Sequence, residues 1–347
     1  MAKLKYIAGY FIPLLALLCF HSTGWRAWLG IVVIFVFIPL LEMFIPPNTY
    51  NLDETERELA KEDVYFDLVL YLLVPLHLFV IYTFLTTIDQ PGLTASDLAA
   101  RILMMGVILG FLGINIGHEL GHKTQHTFKS FLAQVLLTTS LQNHFVPYHN
   151  GGHHKDVATP NDLTSARKGD NYYWFALRSQ IGGYFKTWRL EARRRRAQGK
   201  SDWWNPMILY TLLPFSFLAM VFVFFGPYVF LCYFAAAIFG ISLLESQNYF
   251  AHYGLRRQQR PDGTYERVGL RHSWNSDHLI GRIILFELTR HSDHHHSGSK
   301  PYQILESKAE SPMLPYGYPV MLILSYLPFI FRPVMNRQLV KYGEEGL

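Results

Sequence analysis

The chain has 347 residues, half of them hydrophobic, and charged residues are no more frequent than aromatic ones, at 16% each. Soluble domains carry about 25% charged residues, so this composition excludes an ordinary water-soluble globule. The net charge is +5, no nucleic-acid partner is expected, and two cysteines inside apolar stretches, Cys19 and Cys232, exclude both a CxxC thiolate site and a disulfide framework.

In chain order, apolar stretches fall at 6–20, 27–46, 64–87, 98–117, 206–225 and 227–247. Each approaches the ~20 residues that cross a bilayer as a helix, and none shows the polar face of a soluble helix. The pattern predicts an all-α integral membrane protein with about six transmembrane helices. The first stretch follows "MAKLK", but no small-x-small cleavage site comes after it and Leu18 precedes Cys19. It is therefore expected to be a retained span.

Residues 130–148 are apolar enough for a seventh span. An odd count would place the two basic blocks on opposite sides, so a buried or interfacial helix is expected there. The stretch 312–334 carries four internal prolines and is expected to lie against the membrane. Residues 123–204 hold 13 Lys+Arg and 252–311 hold 9, whereas 86–97 and the turn near Gly226 and Pro227 hold none. Lys and Arg stay cytoplasmic, which puts both termini and both polar blocks on that side of a bacterial-type inner membrane. The expected organisation is 1–117 with four spans, 118–204 as a cytoplasmic block, 205–251 with spans five and six, and 252–347 as a second cytoplasmic block.

Fourteen of the sixteen histidines lie between residues 118 and 296; His21 and His77 stand apart and read as isolated, satisfied side chains. In "GHELGHK", a spacing of four puts His118 and His122 on one helix face, able to share a metal. "HNGGHHK" adds His149, His153 and His154, where Gly151 and Gly152 suit a bend that lets three imidazoles converge. His252 sits where the sixth span ends, and "RHSDHHHSGSK" supplies His291, His294 and His295. Nine imidazoles are too many for one ion, which takes three or four protein ligands, and about right for two. Nitrogen ligation suits Fe, Zn, Cu or Ni, so the residues alone leave the metal open.

The strings "HELGHK", "HNGGHHKDVATPND", "NYFAHYG", "HSWNSDH" and "LTRHSDHHHSGSKPYQIL" resemble, in order and spacing, those of the membrane-bound alkane 1-monooxygenase group. That group belongs to the integral-membrane non-haem di-iron oxygenases and desaturases, and includes relatives acting on xylene-like arenes. The resemblance implies two iron ions held by the nine histidines, O2 as co-substrate, and hydroxylation of an unactivated methyl C–H bond. It implies electrons from a rubredoxin or ferredoxin-type carrier with its NAD(P)H-dependent reductase. His296 has no place in the pattern. Two departures stand out: Ala251 replaces the family Glu before the histidine, and Asn161 replaces an acidic residue. Glu245, seven residues before His252, is a candidate substitute. Asp162, Asp277 and Asp293 are candidates to orient ligand rings through the second nitrogen. Arg193, Arg194, Arg195 and Arg196 are candidates for docking an acidic carrier, or for binding anionic lipid.

A xylene-type or fatty-acyl hydroxylase, or a desaturase of the same superfamily, is the nearest alternative function. "HELGH" also matches the HExxH of zinc proteases, with Glu119 as base, but that reading leaves seven clustered histidines unused. A metal transporter would place ionisable groups at mid-membrane, whereas these gather at one surface.

Overall fold

The computed structural model describes residues 2–122, 127–201 and 203–343. Lys123, which closes the HELGHK string, lies outside them. Among the described residues the secondary structure is helical, with two isolated β-bridges and no strand. The principal helices are α1 (Phe11–Phe20), α2 (Leu29–Phe44), α3 (Glu54–Glu62), α4 (Val64–Thr87), α5 (Ala95–Gly121), α6 (Thr127–Thr139), α7 (Tyr172–Ala197), α8 (Met207–His252), α9 (Leu279–Ile284), α10 (His291–His296), α11 (Tyr318–Ser325) and α12 (Pro328–Lys341).

Local chemistry sets these boundaries. Asp63 caps α4 by accepting from the Tyr65 amide, and Thr94 with Asp97 forms a capping box that opens α5. The 24 residues of α4 extend about 36 Å at 1.5 Å per residue, enough to cross the ~30 Å apolar core of a bilayer. α8 runs for 46 residues but is broken at Gly226, whose φ of 84° is left-handed, with Pro227 behind it. Phe217 and Tyr233 have ring centroids 5.4 Å apart, and Phe222 and Phe230 5.7 Å. Residues 16 apart in one straight helix would lie about 24 Å apart, so the chain reverses at Gly226 and the two halves of α8 pack antiparallel. The expected turn at this dipeptide is thus present. Four helical stretches are long and apolar enough to cross a membrane, and Leu29–Phe44 is a shorter apolar helix. The 130–148 stretch is broken: α6 ends at Thr139 after 13 residues, a short helical turn follows at Phe145–Tyr148, and the proline-rich stretch becomes the short helices α11 and α12.

Two compact units form, and neither is one continuous segment: the first comprises Met1–Ile38, Asp63–Phe145 and Ile208–Leu244, the second Pro39–Glu62, Val146–Met207 and Glu245–Leu347. In the first unit, α5 and α8 approach so closely at Gly106 and Gly240 that a Cβ on Gly106 would meet the Ala236 carbonyl at 2.7 Å. Small residues at a crossing are how apolar helices gain contact where lipid competes for every side chain. His77 is buried and bonds Thr139 Oγ1 at 2.8 Å, and the Tyr233 hydroxyl donates to the Thr139 carbonyl at 2.7 Å.

The core of the second unit is aromatic, built from residues such as Tyr172, Phe175, Tyr249, Phe250, Trp274 and Phe331. The Trp274 indole donates to the Tyr253 carbonyl at 2.9 Å, and its amide to the Ala251 carbonyl at 2.8 Å. These bonds tie the loop after α8 to the helix end that carries His252. The Arg290 guanidinium, just before α10, donates to the Leu305 and Tyr50 carbonyls at 2.5 and 2.7 Å, anchoring the last histidine box.

Candidate metal centre

In the first unit, α5 passes through a π-helical stretch, Leu109–Ile116, and closes with an α-helical turn carrying His118 and His122. Their Nε2 atoms are 2.8 Å apart, as the spacing of four predicts.

In the second unit, His149–His153 winds as a π-helix, and the His154 amide donates to the His149 carbonyl five residues back. Five residues along an α-helix turn the side chain about 140° away; the wider π turn restores the alignment. The Nε2 atoms of His149 and His154 consequently lie 2.9 Å apart. His153 leaves on another side. α10 divides its histidines in the same manner: His291 and His295, four apart, bring their Nε2 atoms to 3.1 Å, while His294 turns toward His154 with ring centroids 5.0 Å apart.

Two groups of ring nitrogens result. His149, His154 and His294 form one, and His153, His252, His291 and His295, all buried, form the other; within each the nitrogens lie within 4.8 Å of one another. The groups share a wall, because the His154 and His295 rings stack at 4.4 Å. His252 is carried to its group by the end of α8, its Nε2 3.2 Å from that of His291.

The donor chemistry fits metal ions. Ligand nitrogens about 2.0–2.1 Å from one ion stand roughly 3 Å from each other, the separation found at four pairs. His153 Nε2 is buried without a hydrogen-bond partner, while its Nδ1 bonds Asp162 Oδ2 at 2.8 Å. That is the arrangement of a ring oriented by a carboxylate with its other nitrogen bare. Burial, reinforced by the surrounding rings, holds His295 well below its ordinary pKa, so it stays neutral, the form that ligates.

Asp162 is itself held. Thr164 Oγ1 and Ser165 Oγ donate to it at 2.8 and 2.6 Å, and the Tyr148 hydroxyl at 3.1 Å. Burial alone would raise its pKa; the His153 ring beside it and the hydrogen bonds from His153 and Ser165 keep it well below the usual carboxylate range. Thr164, Ser165 and Tyr148 carried no sequence signal beyond lying near a histidine box.

The other candidate carboxylates meet different partners. Asp293 accepts from Lys300 Nζ at 2.7 Å and from the Glu306 amide at 2.8 Å. Asp277 accepts from Ser307 Oγ at 2.5 Å and lies 3.6 Å from the Arg290 guanidinium. Glu245 is buried and accepts from Gln180 at 2.5 Å. His252 has instead the His272 carbonyl and Ser273 Oγ, each 3.4 Å from its Nδ1. Ala251 is fully buried and His296 is exposed. Arg194, Arg195 and Arg196 lie in the last turn of α7, with Arg193 just before them.

The fatty acid desaturase family model matches residues 96–324. Alkane 1-monooxygenase 1 of Alcanivorax borkumensis is 36% identical over 95% of this chain and 82% of its own length. Alkane 1-monooxygenase of Ectopseudomonas oleovorans is 34% identical over 95% and 83%. The xylene/toluene monooxygenase hydroxylase component of Pseudomonas putida is 26% identical over 94% and 86%.

Proposed function

We infer that this chain, which belongs to the fatty acid desaturase family and within it to the alkane 1-monooxygenase group, is a membrane-bound monooxygenase that hydroxylates a hydrocarbon methyl group. The observation that carries the reading is the buried quartet of His153, His252, His291 and His295, with ring nitrogens within 4.8 Å of one another.

We assign nine ligands to two irons: His118, His122, His149, His153, His154, His252, His291, His294 and His295. Iron, when bound, supplies activation of O2 and removal of hydrogen from an unactivated C–H bond. The balanced reaction takes R–H, O2, two electrons and two protons to R–OH and water. The chain's own residues prepare it. Asp162 accepts the Nδ1 proton of His153 and so keeps Nε2 bare, the His153 ring and the Ser165 hydroxyl keep Asp162 ionised, and the Thr164 hydroxyl helps to hold it in place. The apolar helices give a hydrocarbon a route from the bilayer.

The electrons come, on this reading, from a rubredoxin or ferredoxin-type carrier and its NAD(P)H-dependent reductase. The enzyme resides in a bacterial-type inner membrane with about six spans, its termini and metal centre cytoplasmic, as the Lys and Arg distribution supports. A purified sample supplied with such a reductase and carrier is expected to contain two irons per chain and to form octanol from octane, or a benzylic alcohol from a methylarene, only with O2. One zinc and no iron would overturn the reading.

A further inference from the structure

α7 is built inside out. Its inward positions recur at Tyr172, Phe175, Ser179, Gly183, Thr187 and Glu191, and from Ser179 onward every one is small or polar. Its outward stripe is Trp174, Leu177, Ile181 and Phe185, each between 55 and 65% exposed. A helix on the surface of a soluble protein has the opposite polarity. The stripe extends about 16 Å along the axis, a contiguous apolar surface that water does not leave uncovered.

The charges on this segment support the same conclusion. Between residues 174 and 188 the charged side chains are Arg178 and Lys186. Arg178 pairs with Asp170 at 2.9 Å, and Lys186 with Asp156 at 2.7 Å and the Asn161 carbonyl at 2.6 Å. Both cations are thus neutralised against the protein, as a low-dielectric surrounding requires. Past the stripe come Arg193, Arg194 and Arg196, all exposed, and then Trp203, 80% exposed. Basic residues beside an apolar stripe, with tryptophan at the boundary, complement an anionic lipid surface.

We propose that α7 is a membrane-embedded helix: its Trp174–Leu177–Ile181–Phe185 stripe lies among lipid acyl chains, and Arg193, Arg194 and Arg196 bind anionic phospholipid headgroups, while Arg195 donates to the Ser201 carbonyl. An electron carrier is the competing occupant. It binds and leaves each turnover, and would return the stripe to water every time it left; lipid covers it continuously.

Because both native cysteines are buried, nitroxide labels can be placed singly in the full-length protein, reconstituted in phosphatidylcholine with or without phosphatidylglycerol. Labels at Leu177→Cys, Ile181→Cys and Phe185→Cys are expected to collide severalfold more with O2, relative to a water-soluble nickel chelate, than a label at the exposed turn residue Asp262→Cys. Nickel accessibility matching Asp262→Cys would overturn the embedding. Replacing Arg193, Arg194 and Arg196 by Gln is expected to abolish the preference for phosphatidylglycerol, and replacing them by Lys to retain it. A Gln variant that keeps this preference and instead raises the KM for reduced carrier would overturn the headgroup assignment.

Discussion

His149 and His154 bring their Nε2 atoms to 2.9 Å although they stand five residues apart, because the chain between them makes a π turn rather than an α turn. A Cβ at Gly151 would meet nothing within 4 Å, whereas one at Gly152 would lie 3.0–3.1 Å from Leu190 and the Tyr148 ring. Gly151→Ala is therefore expected to leave iron content unchanged. Gly152→Leu must displace Leu190 and Tyr148, costing about 1–3 kcal/mol as overpacking does, with loss of iron. Metal analysis and thermal melts of the two variants check the contrast.

His295 and His296 are neighbours with opposite surroundings, one buried among imidazoles and the other exposed. His295→Ala is expected to lose iron and turnover together, and His296→Ala to keep both. Equal behaviour of the two variants would show that the register assigned to this box is wrong.

Asp162 bonds His153 Nδ1 at 2.8 Å, and on the proposed reading it supports iron binding through that ring. Asp162→Asn preserves shape but removes the charge that fixes the ring, and losses of such supporting carboxylates weaken metal binding about 10–100-fold. Competition with an iron chelator should show a change of that order. Thr164→Val removes one hydroxyl from Asp162 and should have a smaller effect in the same direction.

Lys300 bridges Asp293 at 2.7 Å and Glu306 at 2.6 Å, joining α10 to the segment that follows it. Burial alone would raise the pKa of Glu306; hydrogen bonds from Lys300 and Lys308 outweigh it and bring the value from 4.5 down to about 2. A carboxylate whose pKa falls on folding adds stability that is complete above its unfolded value and lost as pH falls through the folded one. Lys300→Met should therefore melt below the native protein near neutral pH. The difference in Tm should narrow as pH drops from 4.5 toward 2. A difference that is constant across this window would assign Lys300 a purely steric role.

Much of this architecture was legible from residue order. Uninterrupted apolar runs report a lipid-compatible helix directly, and the run at 64–87 coincides with Val64–Thr87. The reversal at Gly226 follows from local backbone chemistry, since glycine adopts positive φ without strain and the next residue is proline. The boxes at 118–122, 149–154, 252 and 291–295 pointed to the imidazoles whose ring nitrogens cluster, because a shared metal would restrict residue type and spacing. Which nitrogen joins which group was not written there. His294 separates from His291 and His295 through helical phase, and His149 meets His154 only through a π turn that spacing does not announce. The hydroxyls around Asp162 were equally silent, as Ser and Thr occupy loops for many reasons. α7 is the sharpest case. A periodic pattern of polarity shows that a helix has two different faces; only packing decides which one meets protein and which meets the medium. Here the polar face turns inward to pair its charges and the apolar face turns outward, an arrangement that makes physical sense where the medium is lipid.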